Sequence, residues 1–178
     1  MNRRVLIPAV VLVAVMVVAV GLYLFQPWRI FTSSTVTEDV PAVAQTITPP
    51  PGSSAEPSPV AVPREVATGQ LISHEHASKG SVKIIELPDG THILRFEGLD
   101  TSDGPDLRVW LTDAPVIEGT AGWYVFDDGG YLDLGALKAN KGDQNYVIPA
   151  GTKLADYTSV SIWCARFAVS FAAAELTA

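Results

Sequence analysis

Residues 159–171 read SVSIWCARFAVSF, and this stretch holds the only cysteine of the chain, Cys164, inside the most hydrophobic run outside the N-terminus. Val160, Ile162 and Cys164 alternate with Ser159, Ser161 and Trp163, the period of a strand with one buried face. Phe167, Val169 and Phe171 alternate on the opposite parity. If both apolar sets face one core, a bulge or tight turn must fall at Ala165 and Arg166, immediately after Cys164. Bulges often aim functional side chains, which makes Cys164 the first candidate site residue. The alternative is that it is a small buried hydrophobe, as free cysteines commonly are.

Outward from this strand, residues 69–178 read as all-β. Leu71-Ile72 opens a short strand. Ser81–Leu87 and Thr91–Glu97 flank Pro88-Asp89-Gly90, a turn sequence, so the two arms form a hairpin. Leu94 and Phe96 alternate with Ile93, Arg95 and Glu97, and Leu107, Val109 and Leu111 alternate with Arg108, Trp110 and Thr112. Tyr131–Leu134 and Asn145–Ile148 are further short strands bounded by Gly, Asp or Pro. Six to eight short strands at this spacing suggest an antiparallel β-sandwich or partly closed barrel. No helical period is sustained for three turns. The expected core includes Leu94, Phe96, Leu107, Val109, Leu111, Ile162 and Phe167.

Upstream, 32–68 is expected to be a disordered linker: Pro41, Pro49, Pro50, Pro51, Pro57, Pro59 and Pro63 lie among Ser, Thr, Ala and Val without helical or strand period. Extended, it would reach on the order of 110 Å at about 3.1 Å per residue and hold the domain away from a membrane. Before it, Val5 to Phe25 is an uncharged run of 21 residues. At about 1.5 Å per residue it matches the roughly 30 Å hydrocarbon thickness, so residues 1–31 are expected to form a cytoplasmic tip and a transmembrane signal anchor in contact with membrane lipid. Pro8 falls in the first turn, and Trp28 follows the run as an interfacial anchor. Arg3 and Arg4 place the N-terminus in the cytoplasm and the rest of the chain outside. Cleavage after the small-x-small Ala19-Val20-Gly21 is the competing reading, but the run continues through Leu22–Phe25.

The net charge of −7 lies on the C-terminal domain, because Arg3, Arg4, Arg29 and Arg64 cancel Glu38, Asp39, Glu56 and Glu65 in residues 1–68. Such an acidic domain is repelled by nucleic acid and by anionic lipid, which excludes both as its partners. One cysteine cannot form an internal disulfide. In an exported protein it is a buried thiol, a reactive thiol or one half of an intermolecular bridge.

His74 and His76, two apart, would share one face of a strand at a spacing that can chelate a metal, or sit solvated at a strand end. With Cys164 they would complete the ligand set of a copper electron-transfer site. Met1 and Met16 both fall before or inside the apolar run, so the axial position would need a glutamine or a carbonyl. Asp100, Asp103 and Asp106 form an acidic turn whose spacing of three is not that of a calcium loop. There is no G-x-S-x-G, no nucleotide loop and no paired metal-ligand cysteines.

Three stretches together, SDGPDLRVWL at 102–111, LGALKANKGDQNYVIP at 134–149 and SVSIWCARFAVSF at 159–171, resemble the DM-thirteen domain, described as an electron-transfer domain. The likeness covers essentially all of 69–178. It implies that Cys164 is the family's redox cysteine and that His76, in HEHASKG, is its early histidine. It also implies an oxidoreductase context outside the cell, since animal relatives occur beside haem-binding DOMON domains. Haem or copper is compatible with this and neither is required by the residues. The chain departs from the family at Asp103, where asparagine is usual, and at Ala172, where glycine often follows.

The expected function is a membrane-anchored extracytoplasmic redox module with Cys164 as its working residue and an unidentified redox or envelope partner. Arg166, near in sequence, and Asp106 are candidate supports. Trp163 is expected to face away from Cys164, a surface contact or relay if its own face is exposed. The rival readings are a cell-envelope binding or scaffolding domain in which Cys164 fills the core, and a metal carrier using His74 and His76.

Overall fold

A computed structural model describes residues 3–41 and 62–178. A helix, α1 (Arg3–Phe25), precedes ten strands: β1 (Thr35–Thr37), β2 (Arg64–Gln70), β3 (Ile72–Ser73), β4 (Lys79–Glu86), β5 (His92–Asp100), β6 (Leu107–Thr112), β7 (Tyr131–Ala136), β8 (Lys141–Ile148), β9 (Ser159–Cys164) and β10 (Val169–Glu175). They form two five-stranded sheets, ordered β1-β8-β5-β4-β2 and β3-β10-β9-β6-β7. The all-β expectation holds. Every pairing is antiparallel except β1 with β8, which is parallel.

The hairpin expected around Pro88-Asp89-Gly90 joins β4 to β5. Gly90 takes φ +83°, and Thr91 donates its backbone N–H to Asp89 Oδ1 at 2.9 Å. The main core lies between the sheets, where Val82, Ile84, Leu94, Phe96 and Tyr146 meet Leu107, Val109, Leu111, Val160, Ile162 and Cys164.

The parity change after Cys164 is a tight turn. Ala165–Ala168 closes a hairpin, with Ala168 at φ +49°, and Val169 pairs with Cys164. A bulge follows within β10, between Ser170 and Ala172, so that Phe171 and Ala172 both join the inter-sheet core. Phe167 is therefore not a core residue. It stands in the turn, 43% exposed, because the turn and not a strand carries it.

Nor does β9 have one buried face. All six of its residues are buried. Trp163 packs on the outer side of its sheet with Trp110, Ala114, Phe126 and Ala173, beneath the segment that runs from Ala114 to Phe126. Ser159 Oγ donates to the Ala114 carbonyl at 2.7 Å, which satisfies a hydroxyl that would otherwise be orphaned there.

The stretch expected as linker contributes to the sandwich at both ends. Part of it, 42–61, lies outside the described residues. Downstream of that part, β2 already begins at Arg64. Upstream, Thr35–Thr37 pairs with Lys141–Asp143. Gly142, at φ +97°, makes this possible, since any Cβ there would collide with the Val36 carbonyl oxygen. Glu38 then accepts from Lys138 Nζ and from the Asn145 N–H at 2.7 Å, while buried Arg95 donates to the Glu38 carbonyl at 2.8 Å. Short strands anchored by side-chain bonds leave no periodic trace, which is why composition alone suggested a tether.

Among the described residues α1 is the one helix long and apolar enough to cross a membrane. It does not run into a spacer. Gln26 adopts a left-handed conformation (φ 43°, ψ 54°) and turns the chain into a 3-10 turn at Pro27–Phe31. Arg29 Nη1 then donates to the Gly104 carbonyl at 2.8 Å and pairs with Asp103 at 3.2 Å, and Thr32 Oγ1 donates to Asp103 Oδ2 at 2.7 Å. Asp103, part of the acidic turn, is thus the group that receives the chain leaving the helix.

Candidate site around Cys164

Cys164 ends β9, opposite Leu107 of β6 and Val169 of β10, and its side chain is fully buried in the inter-sheet core. Burial pushes the thiol above its ordinary range. The backbone N–H groups of Phe167, Arg166 and Asp106 oppose that shift, while the Asp106 carboxylate adds to it. The turn positions these donors. Phe167 N–H bonds the Cys164 carbonyl at 3.2 Å, and Ala165 N–H bonds the Asp106 carbonyl at 2.9 Å, which wraps the turn and the start of β6 around the sulfur.

Arg166 contributes its N–H in this way, while its side chain is exposed on the turn. Asp106 spends its carboxylate on Arg108 at 3.0 Å. Trp163 faces away from Cys164, as alternation required, but it is not at the surface: only 2% is exposed. Its indole stacks on Trp110 with centroids 5.0 Å apart, and Trp110 stacks on Tyr131 at 4.0 Å. Tyr131 is exposed, so a column of three aromatic rings leads from solvent to the residue beside the cysteine. The stacking of Trp110 with Tyr131 and Trp163 was not legible in the sequence because cross-strand neighbours are set by register, here β6 with β7 and β9.

The two histidines do not share a face. The short β3 ends at Ser73, and the chain bends through His74–His76, so strand alternation does not govern them. His74 is buried against Phe126 with Nδ1 2.9 Å from Ser170 Oγ. Its burial lowers its pKa; Nε2 has no partner of hydrogen-bonding geometry, although the nearby Ile117 carbonyl opposes the shift. His76 lies over the Phe171 ring at 4.0 Å and contacts the Glu75 carboxylate. Ser170 belongs to the outer side of its sheet and Phe171 to the inter-sheet core, so the imidazoles diverge.

No group of three or more His, Cys, Asp or Glu side chains among the described residues is placed to hold a metal ion. A copper bound by Cys164, His74 and His76 does not fit this arrangement. Cys164 is fully buried and lines neither of the two clefts at this end of the domain, of about 530 and 330 Å³. The smaller cleft lies one residue layer away. Phe167, Val169 and Phe171 line it together with Phe25, His76 and Tyr124.

No curated protein and no solved structure matches the chain. The family model described as Electron transfer DM13 matches residues 70–176, from the last residue of β2 to just beyond β10, and so includes β3 to β10 and the cysteine. The chain belongs to the electron transfer DM13 family, with the redox-related role that this membership carries.

Proposed function

We propose that the chain is a membrane-anchored extracytoplasmic redox module in which Cys164 is the electron-relay residue. Family membership supports the redox role. The length and apolarity of α1 support the anchor, and Arg3 and Arg4 before it favour an external domain. The observation that carries the assignment to Cys164 is its position: it is the one cysteine of the chain, and it lies within the residues that the family model matches, at the turn that joins β9 to β10. Burial keeps the thiol protonated at neutral pH, so in this reading a small oxidant or a docked partner takes one electron from the sulfur while the thiol proton leaves to water, and re-reduction returns both.

One observation favours a second reading, an envelope scaffolding domain with Cys164 as core filler: the thiol is closed off from solvent. Cys164→Ser separates the two, since serine is close to cysteine in size and removes the oxidisable sulfur. In the full chain reconstituted in lipid, the serine variant is expected to fold and to lose reversible electron exchange with a small mediator. Unchanged exchange in a folded serine variant would establish the filler reading. In wild type, alkylation by a small reagent should be slow at pH 7 and should accelerate only above the pH at which a free thiol ionises.

A further inference from the structure

We infer that the β9–β10 turn and the first residues after α1 form a membrane-docking face, so that the DM13 domain lies against the bilayer surface at the end that holds Cys164. This rests on the anchoring read above. The apolar run ends at Phe25, whose ring stacks on Phe167 with centroids 5.6 Å apart and planes 25° apart. Phe167 is the exposed tip of the turn that follows Cys164. A ring in contact with the last residue of a membrane-spanning helix stands at the level of the lipid headgroups.

Other exposed aromatics lie at the same end. Tyr124 shares a cleft with Phe25 and Phe167, and Trp28 lines the adjoining cleft with Arg29 and Asp103. Aromatic rings with one apolar and one wet side are the residues that settle at the membrane–water interface. The occupant of this face is the bilayer surface itself, because α1 continues from the face without a spacer. The domain cannot swing away while Arg29 and Thr32 hold Asp103 and β1 remains paired with β8. The attachment is apolar, since Asp103 and Glu75 at this end offset Arg29, and the net negative domain has no electrostatic attraction to anionic lipid. Cys164, three residues before Phe167, then lies buried at the end of the domain nearest the membrane.

The test places one added cysteine at a time in the full chain in lipid nanodiscs, through Arg166→Cys at the turn or Asp89→Cys at the far end of β5. An environment-sensitive fluorophore is attached, and the buried native thiol stays unlabelled. Lipids carrying a nitroxide near the headgroup are expected to quench the label at 166 several-fold more than the label at 89, equally at low and high salt. In a second measurement, Phe167→Ala combined with Arg166→Cys should lower that quenching. Equal quenching at both positions in a chain that co-sediments with the membrane would overturn the docking face and leave the anchor intact. A chain that does not partition into membranes at all would overturn both.

Discussion

The two faces of β9 are built from different chemistry. On one, Val160, Ile162 and Cys164 meet the opposite sheet in a core closed to solvent. On the other, Trp163 sits among Trp110 and Phe126, with Ser159 and Ser161 bonded to Thr112 and Ser170, under a cover that is not a sheet. Sheet against sheet gives the first face a rigid partner on which every neighbour depends. Loop against sheet gives the second a lid that can loosen alone, and an aromatic column that reaches the surface at Tyr131. The lesson is that a strand's two parities can differ in cooperativity as well as in polarity: the cysteine lies on the parity that fails only with the whole fold.

The largest effect should come from breaking the rigid face. Ile162→Ala removes methyl groups from a site with no exposed surface, and is expected to cost about 2–5 kcal/mol in denaturant unfolding, with all probes moving together. Separate transitions for the two faces would contradict the distinction drawn here.

A smaller, local effect is expected from Gly122→Ala. A Cβ at this position would collide with the Ile117 carbonyl oxygen and push the cover off the Trp163 side. The cost should be about 1–3 kcal/mol, as for other overpacked sites. Tryptophan emission should shift to the red while the methyl resonances of Val160 and Ile162 keep their dispersion. Loss of that dispersion would mean that the cover and the core form one cooperative unit.

The smallest effects distinguish the faces by pH. His74, under the cover, has a folded pKa below its ordinary 6.5, so the unfolded chain binds its proton first and stability falls as pH drops below about 6.5. Cys164 has a folded pKa above its ordinary 9.0, so the unfolded chain loses its proton first and stability falls as pH rises above about 9. Tyr146, pushed up to about 12 by burial, adds an alkaline loss that begins near pH 10. Cys164→Ser should remove only the earlier part of the alkaline slope and leave the acid slope as it was. A serine variant with an unchanged profile between pH 9 and 10 would show that the thiol ionises no differently in the fold.

What the sequence made legible follows the same division. Alternation placed Val160, Ile162 and Cys164 inward, found β5 and β6, and located the Pro88-Asp89-Gly90 hairpin, because these features are local. The apolar run of α1 needed only its length. Features that depend on distant partners stayed hidden. The cover from Ala114 to Phe126 has no period, and β1 exists because Gly142 leaves room for it. Phe167 kept the parity of Val169 and Phe171 while belonging to a turn, and Ile93 is buried by Ile85 and Leu87 on the outer face of its own sheet. The family was legible, and Cys164 stood out as the residue on which the proposed function rests. The donors around the sulfur, the divergence of His74 and His76 and the column through Trp110 were not, since all three are set by pairing register and turn geometry.

The pairing of β1 at one edge of its sheet and β2 at the other changes what the proline-rich residues between them accomplish. They connect two parts of one folded body, so the covalent bond there is dispensable once folding is complete. A specific protease site placed within 42–61 would yield two chains that stay together as complementing fragments, the piece that carries α1 inserting its strand beside Gly142 as a separately made peptide would. Cutting the backbone would then sever continuity without releasing the domain, and the strength of attachment would become a dissociation constant between fragments, weakened by Gly142→Ala.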